Sequence, residues 1–331
     1  MLRLMLRLVG LVIAAHCFGA THASAQAGYP NKPIRVLVPY APGGLTDVVA
    51  RHYAEQLRKD LGQNVIIENK PGASGIIAIE AMARSRPDGY TLLIGNISTN
   101  GLTPILLPKI MSIDYDKDVQ IVAKLADTPV FFMSTTHNFP PTTFAEFITY
   151  AKARPGVVRY ASAGVGAYQH VNTEILAKRA GISLLHIPYK DGGPGILKDL
   201  ANGDVQVSWF NIANPVGMMK AGHVRPLAIS AAQRLPAYPD VPTIDEVGFP
   251  GMRATQWTAA FAPAKTPRDI LDALHKAFVQ ASSSPTLQEA FEKSGMTVPR
   301  QSSVDDAQAW LKDEMAHLAK DIKDANIVVE Q

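Results

Sequence analysis

A strand, a glycine-rich turn and a helix follow one another between residues 34 and 57, and this unit constrains the fold more than any other stretch. Ile34–Val38 is a short apolar run typical of a buried strand. Tyr40-Ala41-Pro42-Gly43-Gly44 predicts a turn, and from Thr46 onward apolar residues recur at helical spacing. A strand that enters a helix through paired glycines leaves the first amide N–H groups of the helix unpaired. Together with the positive end of the helix dipole, these donors predict an anion site.

The first 25 residues resemble a secretory signal peptide. An arginine-containing start precedes an apolar run, and Ala23-Ser24-Ala25 has the small-residue pattern of a cleavage site, so we expect cleavage after Ala25. The alternative is a membrane anchor, but the uncharged run Leu8–Ala20 is shorter than the roughly 20 apolar residues that a spanning helix needs. Cys17 suggests a lipoprotein, yet His16 stands where a small residue normally precedes a lipidated cysteine.

The mature chain would be nearly neutral. Loss of the two arginines of the signal leaves 30 of the 32 basic residues against 29 acidic ones. This balance gives no reason to expect nucleic acid or an anionic membrane as a partner. The single cysteine leaves with the signal, so stability must come from hydrophobic cores, for which the chain is long enough.

Strand-like and helix-like segments alternate along the chain, and such alternation predicts parallel sheets covered by helices. Near the end, Thr266 followed by Pro267 predicts the N-cap of a long helix. Strands are expected at 34–38, 64–68, 90–94, 159–163, 184–188, 205–210 and 227–230, and helices at 46–57, 76–85, 142–153, 196–201, 267–282, 286–294 and 304–323. A further helix is expected to follow the loop 164–170 and to end at Ala180.

Two longer apolar runs, 121–133 and 254–262, are candidates for strands that cross between two domains. Between them, the helix predicted over 142–153 begins with Thr142 or Thr143 as its N-cap. Glu146 is placed for a capping box with Thr143. The segment that follows repeats the strand, glycine loop and helix order of the first.

Three loops place glycines between a strand and a helix start. They are Pro42-Gly43-Gly44 with the residues that follow, Ser162–His170 and Tyr189–Pro194. In open parallel sheets ligands bind beyond the carboxyl ends of the strands, where such loops lie. Hydrogen bonds to a charged group contribute about 1.5–3 kcal/mol each, so two or three backbone donors could hold a carboxylate without Lys or Arg. The alternative is that paired glycines merely allow tight turns.

Catalytic and metal-binding interpretations find less support in the sequence. The usual nucleophile-elbow, phosphate-loop and zinc-protease motifs do not occur, and Gly164-Val165-Gly166 is half of a dinucleotide motif, with Gln169 in place of the third glycine. His170 and Glu174 share a helix face, but without a further His or Cys cluster we interpret His170 as fixing its loop by a hydrogen bond. Asp47 at a helix start is more often a cap than a general base. We therefore expect no catalytic residues, no metal and no cofactor.

Taken in order, several segments resemble the Bug family, the extracytoplasmic solute receptors of tripartite tricarboxylate transporters. The resemblance covers nearly the whole mature chain, from Tyr29 to about Ile327. The segments that carry it are YPNKPIRVLVPYAPGGLTDVVAR, ENKPGASGIIAIEAMARSRPDGYTLL, YASAGVGAYQHV, HIPYKDGGP and LPAYPDVPTIDEVGFPG.

The resemblance implies a type II periplasmic-binding-protein fold, in which two α/β domains joined by two crossover strands close on one ligand. It places domain 1 at residues 29–127 plus 254–331 and domain 2 at residues 128–253. It also implies a periplasmic receptor that binds a small carboxylate, clamped between Ala41–Asp47 and the Ser-x-Gly-x-Gly loop Ser162–His170. The ligand-binding residues expected on this basis are Tyr40, Ala41, Pro42, Gly43, Gly44, Thr46, Asp47, Ser98, Ser162, Gly164, Gly166, Ala167, Tyr168, His170, Tyr189, Phe210 and Asn211.

Two departures from the family pattern bear on the ligand. Ala167 stands where many relatives have Thr, which removes a hydroxyl donor, and Tyr168 could compensate for it or reshape the pocket. Phe210 stands before Asn211 where many relatives have Asp, and an aspartate there would suit an amino group or a hydroxyl. The sequence therefore favours an aromatic or apolar-bodied carboxylate over an amino acid. The aromatic residues available nearby are Tyr40, Tyr168 and Trp209.

We expect an open unliganded monomer that closes on its ligand, because a ligand shifts this equilibrium only by its differential affinity for the two forms. The closed form would then dock on a membrane permease. One alternative is a periplasmic sensor that presents the same ligand to a sensor kinase. Another is a hydrolase of carboxylate esters whose nucleophile and base come together in the fold.

Overall fold

The computed structural model describes residues 28–189, 193–212, 214–252 and 254–329. The predicted signal peptide and its cleavage after Ala25 lie outside the described residues, as does the middle of the third glycine loop, residues 190–192. Within the described ranges, every helix is too short or too polar to cross a membrane.

Ten strands and eleven α-helices alternate along the described part of the chain, and most of them match the predicted segments. The strands are β1 Ile34–Val38, β2 Val65–Asn69, β3 Thr91–Asn96, β4 Val119–Thr128, β5 Val130–Thr135, β6 Arg159–Ser162, β7 Leu185–Pro188, β8 Val207–Asn211, β9 Val224–Ile229 and β10 Gln256–Pro263. The α-helices are α1 Leu45–Leu61, α2 Ile76–Ala83, α3 Thr103–Leu106, α4 Tyr115–Asp118, α5 Phe144–Lys152, α6 Tyr168–Ala180, α7 Gly193–Asn202, α8 Val216–Lys220, α9 Arg268–Ser282, α10 Pro285–Lys293 and α11 Val304–Asp324. A 3-10 turn, Ala73–Gly75, precedes α2, and a π-helical turn, Ile97–Leu102, precedes α3. No sequence pattern predicts α4 and α8, because four or five residues are too few to show a helical period.

The strands form two five-stranded sheets. The first sheet has the order β2-β1-β3-β10-β4, with β1 parallel to β2 and β3 and with β10 antiparallel to β3 and β4. The second has the order β7-β6-β8-β5-β9, with β6 parallel to β7 and β8 and with β5 antiparallel to β8 and β9. Each sheet therefore combines the parallel core that the alternation predicts with antiparallel strands at the crossings.

The chain crosses between the two sheets twice. It leaves the first sheet at Thr128, the end of β4, and enters the second at Val130, the start of β5. It returns after Ile229, the end of β9, and rejoins the first sheet at Gln256, the start of β10. Both long apolar runs thus lie at crossings. The exact domain limits, at residues 127–128 and 253–254, remain predictions.

The helix caps differ in detail from the expectation. Thr143 is the N-cap of α5, and its hydroxyl accepts a hydrogen bond from the N–H of Glu146, as predicted. The Glu146 carboxylate, however, accepts from the N–H and the hydroxyl of Thr142, one residue before the cap. The prediction that Thr266 is the N-cap of α9 is wrong, because Pro267 occupies that position. The Thr266 hydroxyl instead donates to the carbonyl of Pro263.

One hydrophobic core continues from one sheet to the other. The C-terminal helix α11 packs on β4 of the first sheet and on α6 beside the second. Leu318 of α11 and Val171 of α6 belong to the same buried cluster. On the surface of this contact, Arg179 of α6 donates to Asp321 of α11 at 3.1 Å. The two domains therefore meet through side chains that lie about 140 residues apart in the sequence.

Candidate functional site

The first glycine loop, between β1 and α1, is held by a buried carboxylate. Gly44 is the N-cap of α1 and makes no side-chain hydrogen bond to the helix. Asp47, in the first turn, accepts bonds from the N–H of Gly43 (2.9 Å), from Arg51 (2.8 and 3.0 Å) and from the Asn69 amide (2.8 Å). Burial by itself would raise the pKa of Asp47, but these hydrogen bonds hold it below its usual value. The aspartate is therefore ionised and is fully used in shaping the loop.

A second network links this loop to the end of β3. The Tyr40 hydroxyl donates to the side-chain oxygen of Asn96 (2.8 Å), and the Asn96 amide donates to the hydroxyl of Thr46 (2.9 Å). The same Asn96 oxygen accepts the N–H groups of Ser98 and Thr99 and so caps the π-helical turn. Burial raises the pKa of Tyr40 to about 12, and the phenol stays protonated.

The second glycine loop, between β6 and α6, is held by a serine and two histidines. The Ser162 hydroxyl donates to the carbonyl of Gly164 (2.9 Å) and lies 2.6 Å from Nε2 of His186. The N–H of Gly166 donates to Nδ1 of His170 at 3.2 Å. Both glycines have positive φ, +120° and +80°, which side-chain-bearing residues rarely adopt. His170 thus fixes its loop, in agreement with the interpretation from the sequence.

The helix that follows begins without a cap. Ala167 is the N-cap of α6 and, having no polar side chain, leaves the first N–H groups of the helix without a side-chain acceptor. The hydroxyl of the next residue, Tyr168, donates to the carbonyl of Ala254. Tyr168 therefore does not replace the hydroxyl that Ala167 lacks.

The two histidines behind this loop lie against each other with tilted rings, and both are neutral. Their ring centroids lie 4.5 Å apart, and the ring of Tyr160 stacks on His186 at 4.8 Å. Burial lowers the pKa of His170, and burial together with the neighbouring His170 lowers the pKa of His186 to about 4, although Glu174 acts in the opposite direction. Among the residues that the structure describes, no group of three or more His, Cys, Asp or Glu side chains could hold a metal ion.

A first cavity of about 420 Å³ lies between the two loops. Its size falls in the range of small-molecule pockets. None of the described residues that line it is charged. Its polar side chains are those of Tyr40, Ser74, Asn96, Ser98, Thr99, Thr103, Tyr168, Gln169 and Gln256, and its apolar walls include Pro39, Pro71, Leu106, Leu107 and Val165.

A second cavity of about 760 Å³ lies on the other side of the first loop, next to the crossing from β4 to β5. The described residues that line it are again uncharged. They are Tyr40, Ala41, Pro42, Gly43, Gly44, Leu45 and Val48 of the first loop and α1, Ser294 and Met296 after α10, Thr128 at the crossing, and Gly193, Pro194, Asn211 and Asn214 of the second domain.

Both glycine loops contribute to the lining of the first cavity, but their helix starts border different cavities. Gly166 and Ala167, at the start of α6, line the first cavity, whereas Gly43 and Gly44, at the start of α1, line the second. Tyr40 and Ala41 line both, so the cavities lie on either side of the first loop.

The predicted site residues divide into two sets. Ten line one of these cavities: Tyr40, Ala41, Pro42, Gly43, Gly44, Ser98, Gly166, Ala167, Tyr168 and Asn211. Seven line neither: Thr46, Asp47, Ser162, Gly164, His170, Tyr189 and Phe210. Thr46, Asp47, Ser162 and His170 act behind the loops through the hydrogen bonds described above, and the Tyr189 hydroxyl donates to Asp199 at 2.7 Å.

Phe210 is not a lining residue of either cavity, and Trp209, like Phe210, is a core residue. Phe210 is 4 % exposed and packs in the core of the second domain, in register with Phe131 of β5. Trp209 points to the opposite face of the same strand, where its indole N–H donates to Thr173 at 3.1 Å. Side chains alternate along a strand, and both faces of this one are buried. The argument from Phe210 against amino and hydroxyl groups therefore fails, and Asn211 is the residue of β8 that borders a cavity.

Several lining residues were not predicted from the sequence. In the π-helical turn only Ser98 is a predicted site residue, and neither the rest of that turn nor the loop after β2 carries a sequence signal that points to a ligand. Gln256 and Thr128 lie on the two crossing strands, opposite each other in register. Their position in the site depends on the tertiary fold.

The fold and the cleft define a class: two α/β domains, joined by two crossings, with cavities between their strand-end loops, are the architecture of solute-binding proteins. Residues 49–327 match the family model described as "Tripartite tricarboxylate transporter family receptor". The chain belongs to this family, the Bug or TctC receptors, which are periplasmic solute-binding receptors and not enzymes.

Individual relatives agree over nearly the full length. Protein BugT of Bordetella pertussis is 34 % identical over 317 residues, which are 95 % of each chain. A Rhodopseudomonas palustris protein solved with adipate is 32 % identical, with a TM-score of 0.79 over 91 % of this chain and 99 % of the other. MatC of Rhodopseudomonas palustris, solved with bound malate, is 32 % identical, with a TM-score of 0.77 over 89 % of this chain and all of the other.

Proposed function

We propose that this receptor binds a small carboxylate with an apolar body and delivers it to a membrane permease of the tripartite tricarboxylate type. The observation that carries the proposal is the first cavity, in which the uncapped start of α6 faces hydroxyl and amide side chains. A helix start with free N–H groups favours an anion. Relatives solved with adipate and malate support a carboxylate.

The lining of the first cavity favours one charged end and an apolar body. Ser98, Gln169 and Gln256 supply neutral donors, while Leu106 and Leu107 form an apolar wall. An ammonium group would require an acidic partner to offset its desolvation. Among the described residues that line the two cavities there is none, so we expect amino acids to bind less well than simple aliphatic or aromatic acids.

In this proposal the protein acts as a periplasmic monomer released by cleavage after Ala25. The ligand closes the two domains because only the closed form lets both of them reach it. For a ligand of about a dozen heavy atoms, roughly −0.7 kcal/mol per atom gives about micromolar affinity. Small-angle scattering with and without ligand measures the closure, and an unchanged radius of gyration at saturation would contradict it.

Titration calorimetry tests the ligand class. Hexanoate, phenylacetate, adipate, malate, aspartate and glutamate would be titrated into protein that has been unfolded and refolded to remove any ligand carried through purification. We expect the apolar acids or adipate to bind and the two amino acids to bind at least tenfold more weakly. Binding of aspartate or glutamate alone would overturn the proposed ligand class.

A matched pair of glycine variants tests the place of binding. Gly166→Ala puts a side chain at φ +80° in the first cavity, and Gly222→Ala does the same at φ +75° on the surface, with open space around it. Each change strains the backbone by about 1–2 kcal/mol. We expect both variants to lose similar stability and only Gly166→Ala to lose affinity, by tenfold or more. Equal affinities would place the ligand elsewhere.

A further inference from the structure

The chain turns sharply after α11. Asn326, just beyond the helix, has φ +55°, in the left-handed region. The N–H of Asn326 donates to the carbonyl of Lys323 at 3.0 Å, and the N–H of Ile327 donates to the carbonyl of Ile322 at 3.1 Å. A left-handed residue with such a pair of bonds is a common end of a helix. Local hydrogen bonds therefore fix the direction in which the chain leaves α11.

Residues 325–329, called the strap below, lie against α6. At one end of the strap, Ala325 borders a small cavity of about 290 Å³ together with Arg179, which is near the end of α6. At the other end, Val329 approaches the loop before α6, since a Cβ atom built on Gly166 would lie 3.7 Å from Cγ2 of Val329. The strap therefore extends from the end of α6 towards its start.

The side chains of the strap alternate between packed and exposed. Ile327 and Val329 pack against the hydrophobic core that continues from one sheet to the other, whereas Val328 between them is 81 % exposed. An extended segment places successive side chains on opposite faces, so one face can pack while the other meets solvent. The strap is therefore attached to the two domains by the apolar side chains of one face.

The strap reaches the place where the walls of the first cavity approach each other. Leu106 of α3 and Gly166 of the second glycine loop line this cavity from the two domains. A Cβ atom built on Gly166 would lie 3.5 Å from Cδ1 of Leu106 and 3.7 Å from Val329. Val329 itself lines neither cavity. It is therefore placed to hold the two walls together without touching a ligand.

An ion pair ties the other end of α6 to α11. Arg179 of α6 donates to the carboxylate of Asp321 at 3.1 Å, and Asp321 is 7 % exposed. His317 of α11 lies 3.5 Å from the second oxygen of that carboxylate. Solvent ions screen a partly buried pair less than an exposed one. The helix that carries the second glycine loop is thus held by the first domain at both of its ends.

We propose that the strap stabilises the closed form of the receptor and so slows the release of the ligand. The inference rests on the proposed function, in which the carboxylate lies at the start of α6 and the two domains close on it. When the domains separate, the start of α6 moves away from Leu106, and the contacts of Val329 are lost. Contacts that exist only in the closed form favour that form by their own free energy.

Substitutions at two neighbouring valines test this role. Val329→Ala removes two methyl groups from a packed side chain, and Val328→Ala removes the same groups from an exposed one. The probe is the tightest-binding acid among hexanoate, phenylacetate, adipate and malate. We expect Val329→Ala to weaken its binding about three- to fivefold, the loss that partial burial of two methyl groups implies. Val328→Ala should bind as the wild type does.

Stopped-flow kinetics shows which step changes. If the strap holds the closed form, the dissociation rate should rise in Val329→Ala by the same factor as the affinity falls, and the association rate should stay nearly constant. A second pair of variants acts at the far end of α6, away from the cavity. Arg179→Gln should also raise the dissociation rate, by about twofold, while Lys178→Gln, which removes a charge from the preceding residue, should not.

The outcomes separate this inference from the proposed function. Equal affinities of Val329→Ala and Val328→Ala, tighter binding by Val329→Ala, or a change confined to the association rate would each overturn the role of the strap and leave the proposed function intact. Failure of every acid to bind the wild type would overturn the proposed function and this inference with it. Thermal unfolding without ligand checks that the variants fold. If Val329→Ala does not fold, the comparison of Arg179→Gln with Lys178→Gln decides.

Discussion

The two glycine loops that border the cleft each connect a strand to a helix start, but different side chains hold them in place. The first is fixed by an ionised group: Asp47 binds the N–H of Gly43 and the side chains of Arg51 and Asn69. The second is fixed by neutral imidazoles: His170 accepts from Gly166, and His186 lies against Ser162. One loop therefore depends on a charge that is present at any physiological pH, and the other on the absence of charge.

Because of this difference, we expect the two loops to respond differently to a fall in pH. The carboxylate of Asp47 has its pKa lowered by its partners, so its contribution is present above its unfolded pKa and is lost only as the pH falls through the lower folded value. The histidine pKa values are also lowered, but from a higher starting point, and His186 reaches about 4. Mild acid should therefore affect the second loop while the first stays intact.

The largest effect is expected from removing the carboxylate that holds the first loop. Asp47→Ala removes the acceptor of three side-chain hydrogen bonds and one backbone bond, and it leaves the side-chain amide of Asn69 with one fewer acceptor. At about 1.5–3 kcal/mol per charged hydrogen bond, discounted because Arg51 is half-exposed, we expect a loss of about 2–3 kcal/mol. Urea denaturation measures this loss, and calorimetry should show at least tenfold weaker ligand binding.

The control for this prediction is another helical pair at the same spacing. Asp272 accepts from Arg268 four residues earlier, and both side chains are about half exposed. We expect Asp272→Ala to change the free energy of unfolding by less than about 1 kcal/mol, as surface pairs do, and to leave binding unchanged. If Asp47→Ala cost no more than this control, the first loop would be held by its glycines and not by its carboxylate.

The sequence predicts the positions of the two loops and the residues that hold them better than it predicts the residues that line the cavities. The strand, glycine turn and helix order locates both loops, because local propensity decides it. His170 reaches its partner four residues away, so its role also follows from local spacing. By contrast, Thr128 and Gln256 meet only when two strands far apart in sequence pair. Phe210 is not a site residue because β8 is buried on both faces. The alternation of side chains along a strand does not show from the sequence which face, if either, is open to a ligand.

A smaller effect is expected from capping the second loop's helix. Ala167→Ser adds an N-cap hydroxyl at the start of α6 and should stabilise the unliganded protein by about 1 kcal/mol. The new hydroxyl would bond the N–H groups that the carboxylate is proposed to use, so affinity should fall several-fold while the melting temperature rises. Gly44→Ser at the start of α1 is the counterpart in the first loop, with an expected gain of only a few tenths of a kcal/mol. An increase in affinity for Ala167→Ser would instead make the hydroxyl a ligand donor.

The smallest effect, and the one that separates the loops most cleanly, is on pH dependence. Because the folded-state histidine pKa values are lowered, the unfolded chain binds more protons in mild acid, and stability falls as the pH drops below about 6.5 towards 4. In the folded protein the imidazoles stay neutral until the pH falls through these lowered pKa values. The free energy of unfolding should therefore fall between pH 7 and pH 5, which urea denaturation measures, while affinity for an acid that stays ionised changes little.

Two histidine variants show whether this decline arises at the second loop. His186→Asn keeps a donor beside Ser162 and removes a histidine that the unfolded chain would protonate, so we expect a flatter profile of the free energy of unfolding between pH 7 and pH 5. His223→Asn, at an exposed position on the turn before β9, should keep the wild-type profile. A wild-type free energy of unfolding that does not change over this range would mean that the two loops are equally insensitive to pH. The imidazoles would then serve only to fill space behind the turn, and the contrast with the carboxylate of the first loop would have no consequence for stability.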